Sequence, residues 1–157
     1  MKITTPHRIA HTYTQRLYGK VMDVFPLLCP VRECDWVNGW EPREVITSSG
    51  FAERDCIFFT GPKENEAIWM VTEYEPPTSI GFIKINPRET VARIRIDLRA
   101  HENTTLAEIT YAYTALTAEG ERVVREFTAE YYQTFMKEWE DELNHYLVSG
   151  TRRQAAQ

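Results

Sequence analysis

Long apolar runs are missing from this sequence. No stretch approaches the ~18 residues that a membrane-spanning helix needs, and the first eleven residues, MKITTPHRIAH, lack the apolar centre of a signal peptide. The reading is a cytoplasmic protein with no membrane span. Cysteine is scarce. Cys29, Cys34 and Cys56 are an odd set in a chain without an export signal, which argues against a disulfide framework. No His-x-x-x-His and no second cysteine pair completes a zinc set, so neither a metal nor another cofactor is expected. Positive charge is also short. The 18 lysines and arginines against 23 aspartates and glutamates leave a net charge of -5, so no nucleic acid is expected as partner. A glycine-rich phosphate loop, a serine nucleophile elbow and a His-Glu-x-x-His helix are all absent, and with them the simplest signatures of nucleotide, acyl-transfer and metalloprotease chemistry.

What is there is alternation, then helical periodicity. His7 to Tyr18 alternates, with Ile9, His11, Tyr13, Gln15 and Leu17 on one face, and reads as a long first strand. Lys20 to Leu28 reads as a short helix limited by Pro26. Cys29 to Trp40 is irregular and holds Trp36 and Trp40, which would plug an end of the fold. Short strands follow at 44–48, 51–60, 67–74 and 79–85, separated by Gly-Pro, Pro-Pro and Asn-Pro signals. Two cleanly alternating strands follow at 91–101 and 104–116. Short loops favour hairpins, so the sheet should be antiparallel. Residues 117–149 repeat apolar side chains every three or four positions: Val124, Phe127, Tyr131, Phe135, Trp139, Leu143 and Tyr146. That is the face of one continuous helix, with Thr117 as N-cap, Gly150 as the stop, and Gly120 as a weak point. Residues 1–149 form one domain and 150–157 a polar tail.

The order of elements resembles the helix-grip fold of the START / Bet v 1-like proteins, the SRPBCC superfamily. The segments VFPLLCPVRECDWVNGW (24–40), IWMVTEYEPP (68–77) and TALTAEG (114–120) are similar to pieces of its bacterial polyketide cyclase/dehydrase-like branch. The resemblance implies an α+β fold: a seven-stranded antiparallel sheet curled around a long C-terminal helix, two short helices after the first strand, and a cavity between sheet and helix. It implies no catalytic residues.

The inward phases of the first strand, the last two strands and the helix nominate a ligand-binding set: His11, Tyr13, Gln15, Tyr111, Tyr113, Phe127, Tyr131 and Phe135. The set is mostly apolar with a few polar groups, as ligand pockets are. Polar side chains on an inward surface also need something to wet or bond them. Trp69 joins the set if it points inward, and simple alternation would then bring Glu73 inward as an acid or base. His11 and Tyr113 are further candidates for that role. Arg32, Glu33 and Asp35 read as ion pairing within an irregular loop, and Arg93, Arg95 and Arg99 as a solvated stripe. The expected function is binding of a small hydrophobic or aromatic, lipid- or polyketide-like molecule, by a monomer or homodimer. A cyclase/dehydrase-type enzyme and a ligand-free, co-chaperone-like interaction domain are the alternatives.

Overall fold

Seven strands form one antiparallel sheet in the order β1-β7-β6-β5-β4-β3-β2. In chain order they are β1 (Arg8–Leu17), β2 (Glu44–Ile46), β3 (Ile57–Thr60), β4 (Ala67–Glu75), β5 (Ser79–Asn86), β6 (Thr90–His101) and β7 (Thr104–Ala115). Each pairs with its sequence neighbour except β1, which closes against β7. The computed structural model describes residues 1–155, so the last two residues of the expected tail lie outside the described residues. A one-turn helix α1 (Val21–Val24) and two 3-10 turns (Phe25–Leu28 and Arg32–Asp35) fill the connection from β1 to β2. Residues 51–56, expected as the start of a strand, are irregular. Among the described residues no helix is long and apolar enough to cross a membrane.

The expected single C-terminal helix is two. α2 (Ala118–Glu126) ends at Phe127, and α3 (Ala129–Ser149) begins afresh with Thr128 as its N-cap, whose hydroxyl accepts from the Tyr131 amide. The apolar step from Phe127 to Tyr131 crosses the break, so periodicity alone cannot reveal it. Thr117 caps α2 as expected, and Gly150 ends α3 in the left-handed region at φ 71°.

The stripe that α3 presses on the sheet is Tyr132, Met136, Glu140, Leu143 and Asn144. Tyr131 and Phe135 lie one position off it and keep 59% and 37% of their surface. β1 is an edge strand, and α3 covers that edge with side chains. The Arg16 amide donates to Glu140 Oε2 at 2.8 Å, the Tyr18 amide to Asn144 Oδ1 at 2.9 Å, and Asn144 Nδ2 to the Arg16 carbonyl at 2.9 Å. Backbone groups that would otherwise template another strand are thereby satisfied. Asn144→Ala removes two of these bonds and is expected to cost about 1–2 kcal/mol in thermal or urea unfolding. An unchanged midpoint would mean that water serves the edge equally well.

Candidate functional site

The inner face of the sheet carries one continuous row across all seven strands. The register places Val45, Phe58, Trp69, Lys84, Ala92, Tyr113 and Ile9 side by side. A second row holds Val71, Phe82, Ile94, Tyr111 and His11. Large apolar side chains with a small Ala92 among them leave a hollow under the helices. The hollow is a cavity of about 630 Å³, with walls that include Trp40, Phe58, Trp69, Phe82, Tyr111 and Tyr113. Val123, Glu126 and Phe127 of the α2 end, with Tyr131, Phe135 and Trp139 of α3, line its helix side.

Trp69 is turned inward, stacked on Phe58 with ring centroids 5.2 Å apart and held by its indole N–H, which donates to Thr60 Oγ1 at 2.8 Å. Phe127 is a hub. Tyr113 meets it edge-on at 4.7 Å, and Tyr111, Tyr131 and Tyr132 surround it. Six of the nine nominated residues therefore share one cavity: Trp69, Tyr111, Tyr113, Phe127, Tyr131 and Phe135.

The three nominated residues of β1 do not line it. They point inward in the expected phase, but α3 lies over them. His11 Nε2 donates to the Phe127 carbonyl at 2.8 Å, the group freed where α2 stops. Gln15 is fully buried and donates from Nε2 to the Met136 carbonyl at 2.9 Å. Tyr13 lies near Glu140 and Lys137; burial first and the Glu140 carboxylate second push its phenol up. These polar groups fasten the helix to the sheet, so helix backbone rather than cavity water satisfies His11 and the Gln15 donor.

Glu73 does not follow Trp69 inward. A bulge between Val71 and Glu73 shifts the β4 register and inverts the phase beyond it. Glu73 is exposed and pairs with Arg95 at 2.5 Å, while Tyr74 turns in against Phe25. Neither His11, committed to Phe127, nor Glu73 is placed to act on a molecule in the cavity.

Three charged residues line the cavity, and none was nominated for it from the sequence. Glu33 sits in the 3-10 turn Arg32–Asp35. Its neighbours Arg32 and Asp35 form the expected ion pair at 2.8 Å, but Glu33 itself faces the cavity. It is half-buried and forms part of the cavity wall. Burial alone pushes its carboxyl up to about 8, so it holds its proton at neutral pH. Lys84 rises from the middle of β5, and its ammonium lies 5.0 Å from the centre of the Trp69 ring. Burial pulls its pKa down, with the Glu89 carboxylate acting the other way. Glu126, the third charged residue, is exposed at the rim and paired with Arg122 at 3.2 Å. Burial, then the other tyrosines and Glu33, raises Tyr111 well above the phenol range; Tyr113 is pushed up to about 12, mainly by burial. Both phenols are donors that stay neutral.

No family model matches the chain, and no curated protein matches it in sequence. Solved structures do match in shape. Protein Mll3558 from Rhizobium loti superposes with a TM-score of 0.63 at 13% identity, over 89% of this chain and 100% of its own. CalU16 from Micromonospora echinospora gives 0.59 at 16% identity, over 92% of this chain and 84% of its own. Norcoclaurine synthase from Thalictrum flavum gives 0.65 at 10% identity, over 92% and 88%. Identities this low speak for the architecture alone. With its seven-stranded curled sheet, its short helices after the first strand and its long C-terminal helix, the chain has the helix-grip fold of the START and Bet v 1-like proteins.

Proposed function

We propose that this protein binds a small, largely aromatic or hydrophobic molecule between the sheet and the C-terminal helices. The observation that carries this reading is the cavity of about 630 Å³ walled by Trp40, Phe58, Trp69, Phe82 and Tyr111. That volume lies within the range of pockets for drug-sized ligands, roughly 300–1,000 Å³. An interaction domain without a ligand would fill this space with side chains. Tyr111, Tyr113 and the protonated Glu33 supply hydrogen-bond donors that fix orientation, and the rings supply contact area.

Native mass spectrometry of freshly purified protein, before and after solvent extraction, is the test. A bound mass that leaves on extraction is expected, and Trp69→Ala should lower occupancy roughly tenfold, since a central aromatic anchor carries much of such binding. A bare mass together with failure to take up a neutral hydrophobic dye would sink the reading.

Glu33 favours a second reading, an enzyme of the acid–base kind. A carboxylic acid kept neutral at pH 7 beside phenols can hand a proton to a bound carbonyl or hydroxyl. In that case Glu33→Gln abolishes turnover of the extracted ligand and leaves its binding intact. Pure binding predicts a graded change in affinity only.

A further inference from the structure

Lys84 stands where a filled core would place an aliphatic side chain. On the inner face of β5 it follows Ile80 and Phe82, and its cross-strand neighbours are Trp69 on β4 and Ala92 on β6. Ala92 is fully buried and small, so the space beside the ammonium is open to the cavity. Among the described residues no carboxylate forms an ion pair with Lys84. Glu66 is taken by Arg43, Glu73 by Arg95 and Glu126 by Arg122. Glu33, on the opposing turn, bears on Tyr111 rather than on Lys84, and is uncharged at neutral pH. Glu89 offsets part of the burial cost through its charge without forming an ion pair with Lys84, and its carboxylate accepts from Asn65 Nδ2 at 3.4 Å; the Trp69 ring face lies 5.0 Å from the ammonium. A half-buried cation among apolar walls with no ion-paired carboxylate is unfavourable, and such groups are ordinarily paired.

We propose that the ligand supplies the missing counter-ion: the cavity takes an aromatic or hydrophobic molecule bearing one anionic group, a carboxylate or sulfonate, which pairs with Lys84 Nζ while the apolar body stacks among Phe58, Trp69 and Phe82. This rests on the binding reading above and narrows it from any apolar ligand to an anionic amphiphile. Trp69, locked by its bond to Thr60, places one ring face beside the ammonium, so body and charge are recognised by adjacent groups of one row. The exposed cationic stripe of β6 is a poorer match for such a ligand. Arg95, for example, is already paired with Asp97 and Glu73 on the outer face.

Two dyes of one skeleton test it. N-phenyl-1-naphthylamine is neutral, and 8-anilinonaphthalene-1-sulfonate is the same skeleton carrying a sulfonate. Their fluorescence titrations are made on wild type and on Lys84→Met, which keeps length and removes charge. Each dye is also competed against the other, to establish that they share one site. Wild type is expected to bind the sulfonate at least about tenfold more tightly than the neutral dye, the scale of a buried charge pair. Lys84→Met should lose that preference and keep its affinity for the neutral dye within about twofold, which also reports that the variant is folded. Equal affinities in wild type, or a sulfonate preference that survives in Lys84→Met, overturns the anion assignment and leaves the cavity reading standing. Failure of wild type to bind either dye overturns both.

Discussion

Glu33→Gln should make this protein more stable, and more so as pH rises. The folded chain holds the Glu33 carboxyl near pKa 8, against 4.5 for an ordinary glutamate, because the cavity wall desolvates the charged form. The folded state therefore binds this proton more tightly than the unfolded chain does. The stability it contributes is full below about pH 4.5 and is lost progressively as pH climbs to about 8. At pH 8.5 the full shift would be worth about 4–5 kcal/mol, and because Glu33 is only half-buried the loss for this one group is on the order of 3 kcal/mol. Glutamine is nearly isosteric and never ionises, so the variant escapes that loss. Its Tm should exceed wild type by roughly 6–10 °C at pH 8.5 and differ little at pH 4.5. An equal difference at both pH values would place the carboxyl in contact with bulk water and remove it from the list of proton donors. The same titration bears on binding. An anion in the cavity meets a neutral Glu33 at pH 7 and a second negative charge above pH 8, so sulfonate-dye affinity should fall more steeply across that window in wild type than in Glu33→Gln.

The architecture was legible because β1, β6 and β7 are long, half-exposed strands whose alternation states their phase. Six of nine nominated cavity residues follow from those phases, the helical period and the orientation of Trp69. What was not legible failed for local reasons. His11 and Gln15 have the right phase, but phase does not say whether a helix or a void lies above a strand. Glu73 was carried inward by simple alternation, which a single bulge near Thr72 undoes. Lys84 went unseen because the apolar run of β5, Ile80 to Ile85, fits either phase, and a lysine in such a run reads as its wet side. Glu33 lies between two charged neighbours that do pair with each other, in a turn too short to have a period. The two charged residues that give the cavity its chemistry thus sit where patterning is weakest. That is also where local rules are expected to yield to function.

Gly120 reverses its meaning between sequence and structure, and the reversal can be measured. By helix propensity it is a flaw in α2, and alanine should stabilise the helix by about 1 kcal/mol. In the fold, Gly120 lies against the turn that joins β5 to β6. A Cβ there would fall far inside van der Waals contact with the Glu89 carbonyl oxygen and 2.7 Å from its carbon. That oxygen is already engaged, accepting from the Leu116 amide at 2.8 Å. Thr117 ties the same turn from the other side, since its hydroxyl donates to the Arg88 carbonyl at 2.6 Å and accepts from the Gly120 amide at 3.1 Å. No side-chain rotation relieves a clash with backbone, so either α2 lifts or the cap and the Leu116 bond break. Gly120→Ala is therefore expected to destabilise by about 3 kcal/mol, near the top of the usual overpacking range and opposite in sign to propensity. The consequence reaches the cavity. Val123, Glu126 and Phe127 form its rim from the far end of α2, and Phe127 is the ring on which Tyr111 and Tyr113 rest. Lifting α2 should weaken neutral-dye binding severalfold even at temperatures where the variant remains folded. A variant as stable as wild type would show that α2 is not seated on the β5–β6 turn. Lost stability with unchanged dye affinity would instead confine the role of α2 to the fold and leave the site to α3 and the sheet.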